Sequence, residues 1–407
     1  SSPASPWSSA IAVDAAAPLR NKQPFVLNME RCGRSNAPEK IEMKRRELLA
    51  FGGAGLAATG IAAPAVAQGQ PQVQWRLASS FPKSTDILFG TSEMIGRRVS
   101  ELTEGRFQIR SFASGEIVPG LQVLDAVQNA TVECGHTCGY YYVGKDPTFA
   151  FDTAIPFGPN ARQMNAWIRH GGGLEVLREF FQTYNIIQFP AGNTGAQMGG
   201  WFRKEIKSVE DLRGLKMRIA GLTGEIMAKL GVVPQQLAGG DVYPALEKGT
   251  IDATEFVGPY DDEKLGFFQV AKNYYYPGWW EGGPQVSLFV NLDAWNALPA
   301  PYKAALEVAC AEANADMTAR YDAENARALK RLIAKGTVLR GFPREVMQAA
   351  HEVAFTLYDE IAAKNPAFKK VYESWKPFLE ETQLWFRVAE LPYDGFVVAA
   401  AQRQQRQ

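Results

Sequence analysis

The chain has 407 residues, of which 46% are hydrophobic and 21% charged, with 43 basic against 43 acidic side chains and a formal net charge of +0. This balance suits one large or two medium globular domains and excludes disorder throughout. It also leaves no basic footprint for nucleic acid and no polybasic patch for a membrane surface.

Residues 1–42 are rich in Ser, Ala, Pro and Asn without periodicity, and Met43 is expected to be the true start. Arg45 and Arg46, the Ala- and Gly-rich run from Leu48 to Ala63, and Ala65-Val66-Ala67 fit a twin-arginine export signal cleaved after Ala67. A membrane anchor of minimum length is the plainer alternative, weakened by the scarcity of Leu, Ile and Val and by the glycines. Gly53-Ala54-Gly55-Leu56-Ala57-Ala58 imitates a dinucleotide fingerprint but follows no strand and lacks the later acid. Removing residues 1–67 leaves 35 basic and 38 acidic side chains, a mildly acidic product. No later segment is apolar for long enough to span a bilayer, so the mature protein is expected to be soluble in the periplasm. Cys32 falls in the removed part, and Cys134, Cys138 and Cys310 remain as an odd number of thiols, expected to be buried and free. Cys134, His136 and Cys138 lack the second ligand pair that a zinc finger requires.

Gln74 to Ala78 and Phe107 to Phe112 alternate as half-buried strands, and Ile87, Leu88, Met94, Ile95, Val99 and Leu102 between them share one helical face, giving a β-α-β unit. A short helix over Leu121–Asn129 precedes Val132 and the cluster Tyr140-Tyr141-Tyr142. Gln163 to Tyr184 reads as helix interrupted by three glycines, and Ile186 to Phe189 as a strand. Gly192 to Ala220 reads as strand, turn, strand, with a short capped turn at Ser208–Leu212. Arg218 alternates with Met217 and Ile219, which aims its guanidinium to the opposite face from its apolar neighbours. That planar fork of donors suits a carboxylate, although from spacing alone the plainer reading is a surface strand residue in a structural ion pair.

Thr223 to Leu230 is expected as a helix stopped by Gly231, Asp241 to Gly249 as a helix capped by Asp241, and Ile251 to Val257 as a strand. Alternating strands and helices predict an α/β chain with mainly parallel sheets. After Pro301 no Pro or Gly intervenes before Lys335, which predicts a helix of roughly 50 Å. Its half from Tyr321 to Lys330 is polar nearly all round, so it should bridge domains or meet a partner chain. Helices over Arg344–Lys364 and Ala367–Thr382 follow.

Three histidines, His136, His170 and His351, leave little material for acid-base or metal catalysis. His170-Gly171-Gly172-Gly173 lacks an accompanying Gly-x-Ser-x-Gly turn, and there is no Walker loop, so neither hydrolase nor nucleotidase chemistry is indicated. Oxygen-bearing and aromatic residues do collect at predicted strand ends: Gln197 near Trp201, Glu255 beside Phe256, and Glu281 after Trp279-Trp280. Each alone reads as a solvated acid or core aromatic. If the acids meet Arg218 in one cleft, an anion there faces two carboxylates and requires a cation between, of the hard kind that oxygen ligands suit, such as calcium or sodium.

Gly192 to Arg203, Leu215 to Gly221, Ala245 to Glu255 and Val257-Gly258-Pro259-Tyr260-Asp261-Asp262 together resemble the DctP-type periplasmic solute-binding subunits of tripartite ATP-independent (TRAP) transporters, in the branch that takes 2-oxo monocarboxylates or lactate. The resemblance spans nearly all of Gln72 to Thr382. It implies a two-domain α/β periplasmic binding protein fold with hinge strands and a long interdomain helix. The division it implies is residues 72–192 with a later returning segment, 193–290, and 291–407 as the long helix and C-terminal helical region. It further implies that Arg218 pairs with the substrate carboxylate, and that Gln197, Glu255, Glu281 and the main-chain carbonyl of Phe256 hold a sodium or calcium ion that also touches the 2-oxo or 2-hydroxyl oxygen. Relatives often carry Trp where this chain has Phe256. Tyr140, Tyr141 and Asn193 resemble substrate-contacting residues. Implied partners are the two integral membrane subunits of the transporter and a second copy through the C-terminal helices. No covalent step is needed, so the chain is expected to bind and not to turn over; the alternatives are a periplasmic enzyme acting on a small organic acid, or a binder feeding a sensor kinase.

Overall fold

The computed structural model describes residues 70–404. The expected export signal, its cleavage point and Cys32 lie outside the described residues. Eleven strands are present among the described residues: β1 (Val73–Ser79), β2 (Phe107–Phe112), β3 (Cys134–Thr137), β4 (Ile186–Asn193), β5 (Gly200–Phe202), β6 (Lys216–Arg218), β7 (Val233–Gln235), β8 (Ala253–Thr254), β9 (Asn273–Tyr276), β10 (Gln285–Asn291) and β11 (Val338–Gly341). They form a five-stranded sheet of order β2-β1-β3-β10-β4 and a six-stranded sheet of order β11-β9-β5-β8-β6-β7.

Both sheets are mixed and not mainly parallel. β1 pairs parallel with β2 and β3, while β10 runs antiparallel to β3 and β4. In the second sheet β5 is antiparallel to both its neighbours. The cause is connectivity. The chain leaves the first sheet after β4, enters the second at β5, and returns after β9 to lay down β10. Residues 285–290, read from the sequence as the end of the second domain, are therefore part of a strand of the first sheet. Two irregular segments, residues 194–199 and 277–284, cross between the lobes.

A third crossing is the 35-residue helix Ala300–Ala334. Along its first half Tyr302, Leu306, Ala309, Cys310 and Ala313 recur every three or four residues and pack with Trp75, Phe107, Phe189 and Leu288 in the first lobe's core. Further on, Met317, Tyr321 and Leu332 are buried in the core cluster that takes in the second lobe. The stretch that is polar by composition thus bridges, because its few large side chains turn inward where the helix changes lobe.

Several boundaries differ from the sequence pattern. The helix expected from Asp241 begins two residues earlier, as Gly239–Glu247, so Asp241 lies in its first turn and not at its cap. The strand over Ile251–Val257 shrinks to Ala253–Thr254, because its remaining residues turn into the cleft. The last helices run Pro366–Val388 and Glu390–Gln404, well past Thr382. Cys134, Cys138 and Cys310 are buried and free. No helix among the described residues is long and apolar enough to cross a membrane.

Candidate functional site

Arg218 ends β6 with Met217 buried on the opposite face, as the alternation requires. It is not on the surface: only 1% of it is exposed, and it lies among the largest fully buried side chains. Its Nη1 donates to Glu255 Oε1 at 2.5 Å and to the Glu255 main-chain oxygen at 2.9 Å, and Nε donates to the Leu237 carbonyl at 3.2 Å. The Ala220 N–H donates to the same Glu255 Oε1 at 3.0 Å. Parallel pairing of β6 with β8 puts Arg218 beside Thr254, which carries Glu255 to the guanidinium.

The two irregular crossings supply the rest. Gln197 lies in the first and Glu281 in the second, tied by Gln197 N–H to Glu281 O and Gly278 N–H to Gln197 O, both 3.0 Å. A Cβ on Gly278 would stand 2.6 Å from that Gln197 oxygen, so the segments approach this closely only because residue 278 has no side chain. Asn193 is fully buried, and its amide ties the crossings together, accepting from Gly195 N–H at 2.9 Å and donating to the Gly283 carbonyl at 3.0 Å. That makes it a brace. Tyr140 and Tyr141 stack with centroids 5.0 Å apart in the turn after β3, and Tyr140 packs flat on Gly221 of the other lobe.

These elements enclose a small cavity of about 10 Å³ whose walls include Phe81, Leu88, Tyr140, Tyr141, Gln197 and Phe256. The Arg218 guanidinium sits 5.6 Å from the Phe256 ring centre. Glu281 comes within hydrogen-bonding reach of the Gln197 amide. Sequence reasoning did not assign several contributors to the walls, among them Phe81, Leu88 and the free thiol of Cys138. Phe81 and Cys138 lie in the turns after β1 and β3, while Leu88 opens the helix Leu88–Leu102, where its apolar period marks it as a core residue and not as a cavity wall.

Burial is the strongest influence on every ionisable group here. It opposes the charge on Arg218, yet Glu255, with Tyr141, Tyr140 and Glu281, outweighs it and holds the guanidinium above its ordinary value. Burial raises the Glu255 carboxyl against the pull of Arg218. Glu281 is pushed well above the usual carboxylate range by burial and then by the Glu255 charge. One guanidinium thus faces two carboxyls, and Glu255 Oε2 and Glu281 Oε1 have no hydrogen-bond partner.

The Gln197 amide sharpens this imbalance. With its nitrogen on Thr194 Oγ1 at 3.2 Å, its oxygen points at the Phe256 carbonyl oxygen, 2.7 Å away, and at a Glu281 carboxylate oxygen, acceptor against acceptor. Turned over, the amide donates to both and accepts from Thr194. Amide oxygen, main-chain carbonyl and carboxylates make a donor set for a hard cation, and the orphaned carboxylate oxygens fit one. Among the described residues no three His, Cys, Asp or Glu side chains cluster in metal-binding geometry, so any such site here leans on neutral oxygens as well as the two glutamates.

A family model described as bacterial extracellular solute-binding protein, family 7 (DctP), matches residues 78–365. The chain belongs to this family. The monocarboxylate 2-oxoacid-binding periplasmic protein of a Nostoc species is 53% identical over 360 residues, covering 87% of this chain and 99% of that one. Among solved structures, the TRAP transporter solute-binding protein of Bordetella bronchiseptica is 53% identical with a TM-score of 0.81, covering 82% of this chain and 99% of its own. It was crystallised as a mixed-occupancy dimer with copurified calcium and picolinate. The TRAP periplasmic solute-binding protein of Pseudoalteromonas atlantica, with bound sodium and pyruvate, is 39% identical with a TM-score of 0.77, covering 79% and 98%. The family membership accounts for the two-lobed α/β fold with its strand and helix crossings.

Proposed function

We propose that this chain is the periplasmic solute-binding subunit of a TRAP transporter, holding a small 2-oxo or 2-hydroxy monocarboxylate together with a calcium or sodium ion between its lobes. The convergence of Arg218, Glu255, Glu281, Gln197 and the Phe256 carbonyl on one buried point carries this reading. Arg218 offers the acid's carboxylate the guanidinium N–H groups that Glu255 and Leu237 do not take, Tyr140 and Tyr141 cover it from the first lobe, and Gln197, Glu255, Glu281 and the Phe256 oxygen hold the cation. When bound, the cation supplies positive charge: with both glutamates and the acid ionised against one guanidinium the site carries two excess negative charges, which calcium cancels and sodium halves. The cavity has room for about one water, so a three-carbon acid enters only when the lobes part, and its contacts to both lobes then favour the closed form.

Binding without turnover is supported by what lines the cleft. His136 is fully buried elsewhere, where burial depresses it to about 4, and no histidine is on the cavity wall. Titration calorimetry with pyruvate, before and after chelation of calcium, tests the reading: we expect stoichiometric retention that depends on the cation. Sustained conversion of pyruvate or lactate to product would overturn it in favour of an enzyme. Export through the twin-arginine pathway is checked separately, by whether substituting Arg45 and Arg46 with lysine keeps the protein out of the periplasm.

The C-terminal helices fit a second copy. Leu384, Trp385, Val388, Leu391, Tyr393 and Phe396 are all more than half exposed, a continuous apolar row that a lone protein in water does not favour. Light scattering should give a dimer mass that falls when Trp385 and Phe396 become serine.

A further inference from the structure

Contacts away from the polar cluster also hold the lobes together. Asp86 stands in the loop between β1 and the helix Leu88–Leu102, which brings Phe81 and Leu88 to the cavity. Its carboxylate faces outward from the first lobe, and the side-chain partners it finds, Lys264, Tyr260 and Arg320, lie on elements beyond it. Lys264 Nζ pairs with Oδ1. The Tyr260 hydroxyl donates to Oδ2 at 3.1 Å, and the Arg320 guanidinium of the long helix lies 3.8 Å from the same oxygen.

Tyr260 and Lys264 belong to the helix Pro259–Leu265, which leaves the site directly after Glu255-Phe256-Val257 and lies between β8 and β9 of the second sheet. The two are preassembled. Lys264 Nζ sits 4.1 Å from the Tyr260 ring centre and donates to its hydroxyl at 2.9 Å, while Tyr260 N–H is fixed on Asn325 Oδ1 at 3.0 Å. On the other side of the cleft Gln236, next after β7, donates to the main-chain oxygen of Tyr141 at 2.7 Å.

Resting on the reading that the cleft takes a small acid, we propose that Asp86 with Lys264 and Tyr260 is an interlobe clasp that sets how long the closed form lasts and hence how fast the acid leaves. None of the three side chains lines the cavity. They therefore stabilise closure without discriminating between acids. Contacts made only in the closed state shift the open-closed balance by their own free energy, and they appear in the off-rate because they must break before the lobes part. The charged members are partly exposed, Asp86 by 46% and Lys264 by 34%, so salt weakens the clasp while leaving the buried site alone.

Stopped-flow release of pyruvate in calcium-containing buffer tests this in wild type, Asp86→Ala, Lys264→Met and the double variant. An off-rate about three- to tenfold faster in each, with the double no faster than the worse single and the difference shrinking in high salt, is the expected result. A ligand-independent arm measures the distance between spin labels at Glu93→Cys in the first lobe and Lys248→Cys in the second, where Asp86→Ala should lengthen the distribution. If wild type retains no pyruvate yet the distances still lengthen, the clasp stands and the proposed ligand falls. Unchanged release together with unchanged distances overturns the clasp.

Discussion

Two regions of this molecule bury carboxylates, and they do so differently. Around Arg218, two buried glutamates face one guanidinium, and of the two only Glu255 is hydrogen-bonded to it. A few residues along the chain, Asp261 and Asp262 are equally buried, but aromatic donors answer them: Tyr321 donates to Asp261 Oδ2 at 2.5 Å, and Tyr274 and Trp201 donate to Asp262 Oδ2 at 2.7 and 3.0 Å. Burial pushes both aspartates to about 7. The second region fastens the long helix to the helix that follows Phe256, and its donors leave a single oxygen, Asp261 Oδ1, without a partner. In the first, oxygens of two different carboxyls, Glu255 Oε2 and Glu281 Oε1, are left unpaired within one cluster. A buried acid marks a binding site when its oxygens converge without donors, not merely because it is buried.

Arg218→Ala should break this contrast most severely. It strands Glu255 and removes the fork, so calorimetry should show pyruvate affinity reduced about 100- to 1,000-fold or more, with thermal stability lowered as well. Glu281→Gln sharpens the comparison, because it should split function from stability. Cation-dependent affinity falls by about 10- to 100-fold, while the melting temperature of the ligand-free protein holds or rises once a repelling carboxyl is gone. Gly221→Ala comes next: φ is +66° and its Cβ would lie 2.7 Å from the Tyr140 ring. Obstructing closure there should weaken binding by about tenfold with modest loss of stability.

Asp262→Asn should leave pyruvate affinity within about twofold and change only the response to pH. An aspartate whose folded value is raised from 3.8 to about 7 binds its proton more tightly in the native state than in the unfolded chain. Its contribution is therefore present in full below about 4 and is lost as pH rises through 7. Denaturant unfolding across pH 4 to 8 should show wild-type stability falling over that window more steeply than the variant's. An affinity change as large as that of Glu281→Gln would show that the two regions are one.

Much of this was readable in the residues. The alternation of Met217, Arg218 and Ile219 gave the orientation of the guanidinium, and the uninterrupted run after Pro301 gave the long helix, because both depend on period and on the absence of breakers. That Arg218 is buried against Glu255 was not readable, since β6 and β8 are neighbours only in the sheet. The meeting of Gln197 with Glu281 was implied by resemblance alone: they sit on two crossings 84 residues apart in sequence, which no local pattern connects. No local pattern marks Asp261 and Asp262 as buried, and only their distant partners Tyr321, Trp201 and Tyr274 explain why they are inside.

The order of residues by itself determined the elements: which stretches bury one face, where Pro and Gly end them, and where a donor fork or an oxygen-rich turn is available. Those are short-range facts, governed by backbone sterics and by the period of apolar side chains. Tertiary structure alone decided that both lobes share two strand crossings and a helix, that the crossings deliver Gln197 and Glu281 to Arg218 and Glu255, and that Asp86 reaches across to Lys264. The reason is physical. Charge pairing and cation binding depend on distances of a few ångströms between atoms far apart along the chain, and only packing fixes such distances.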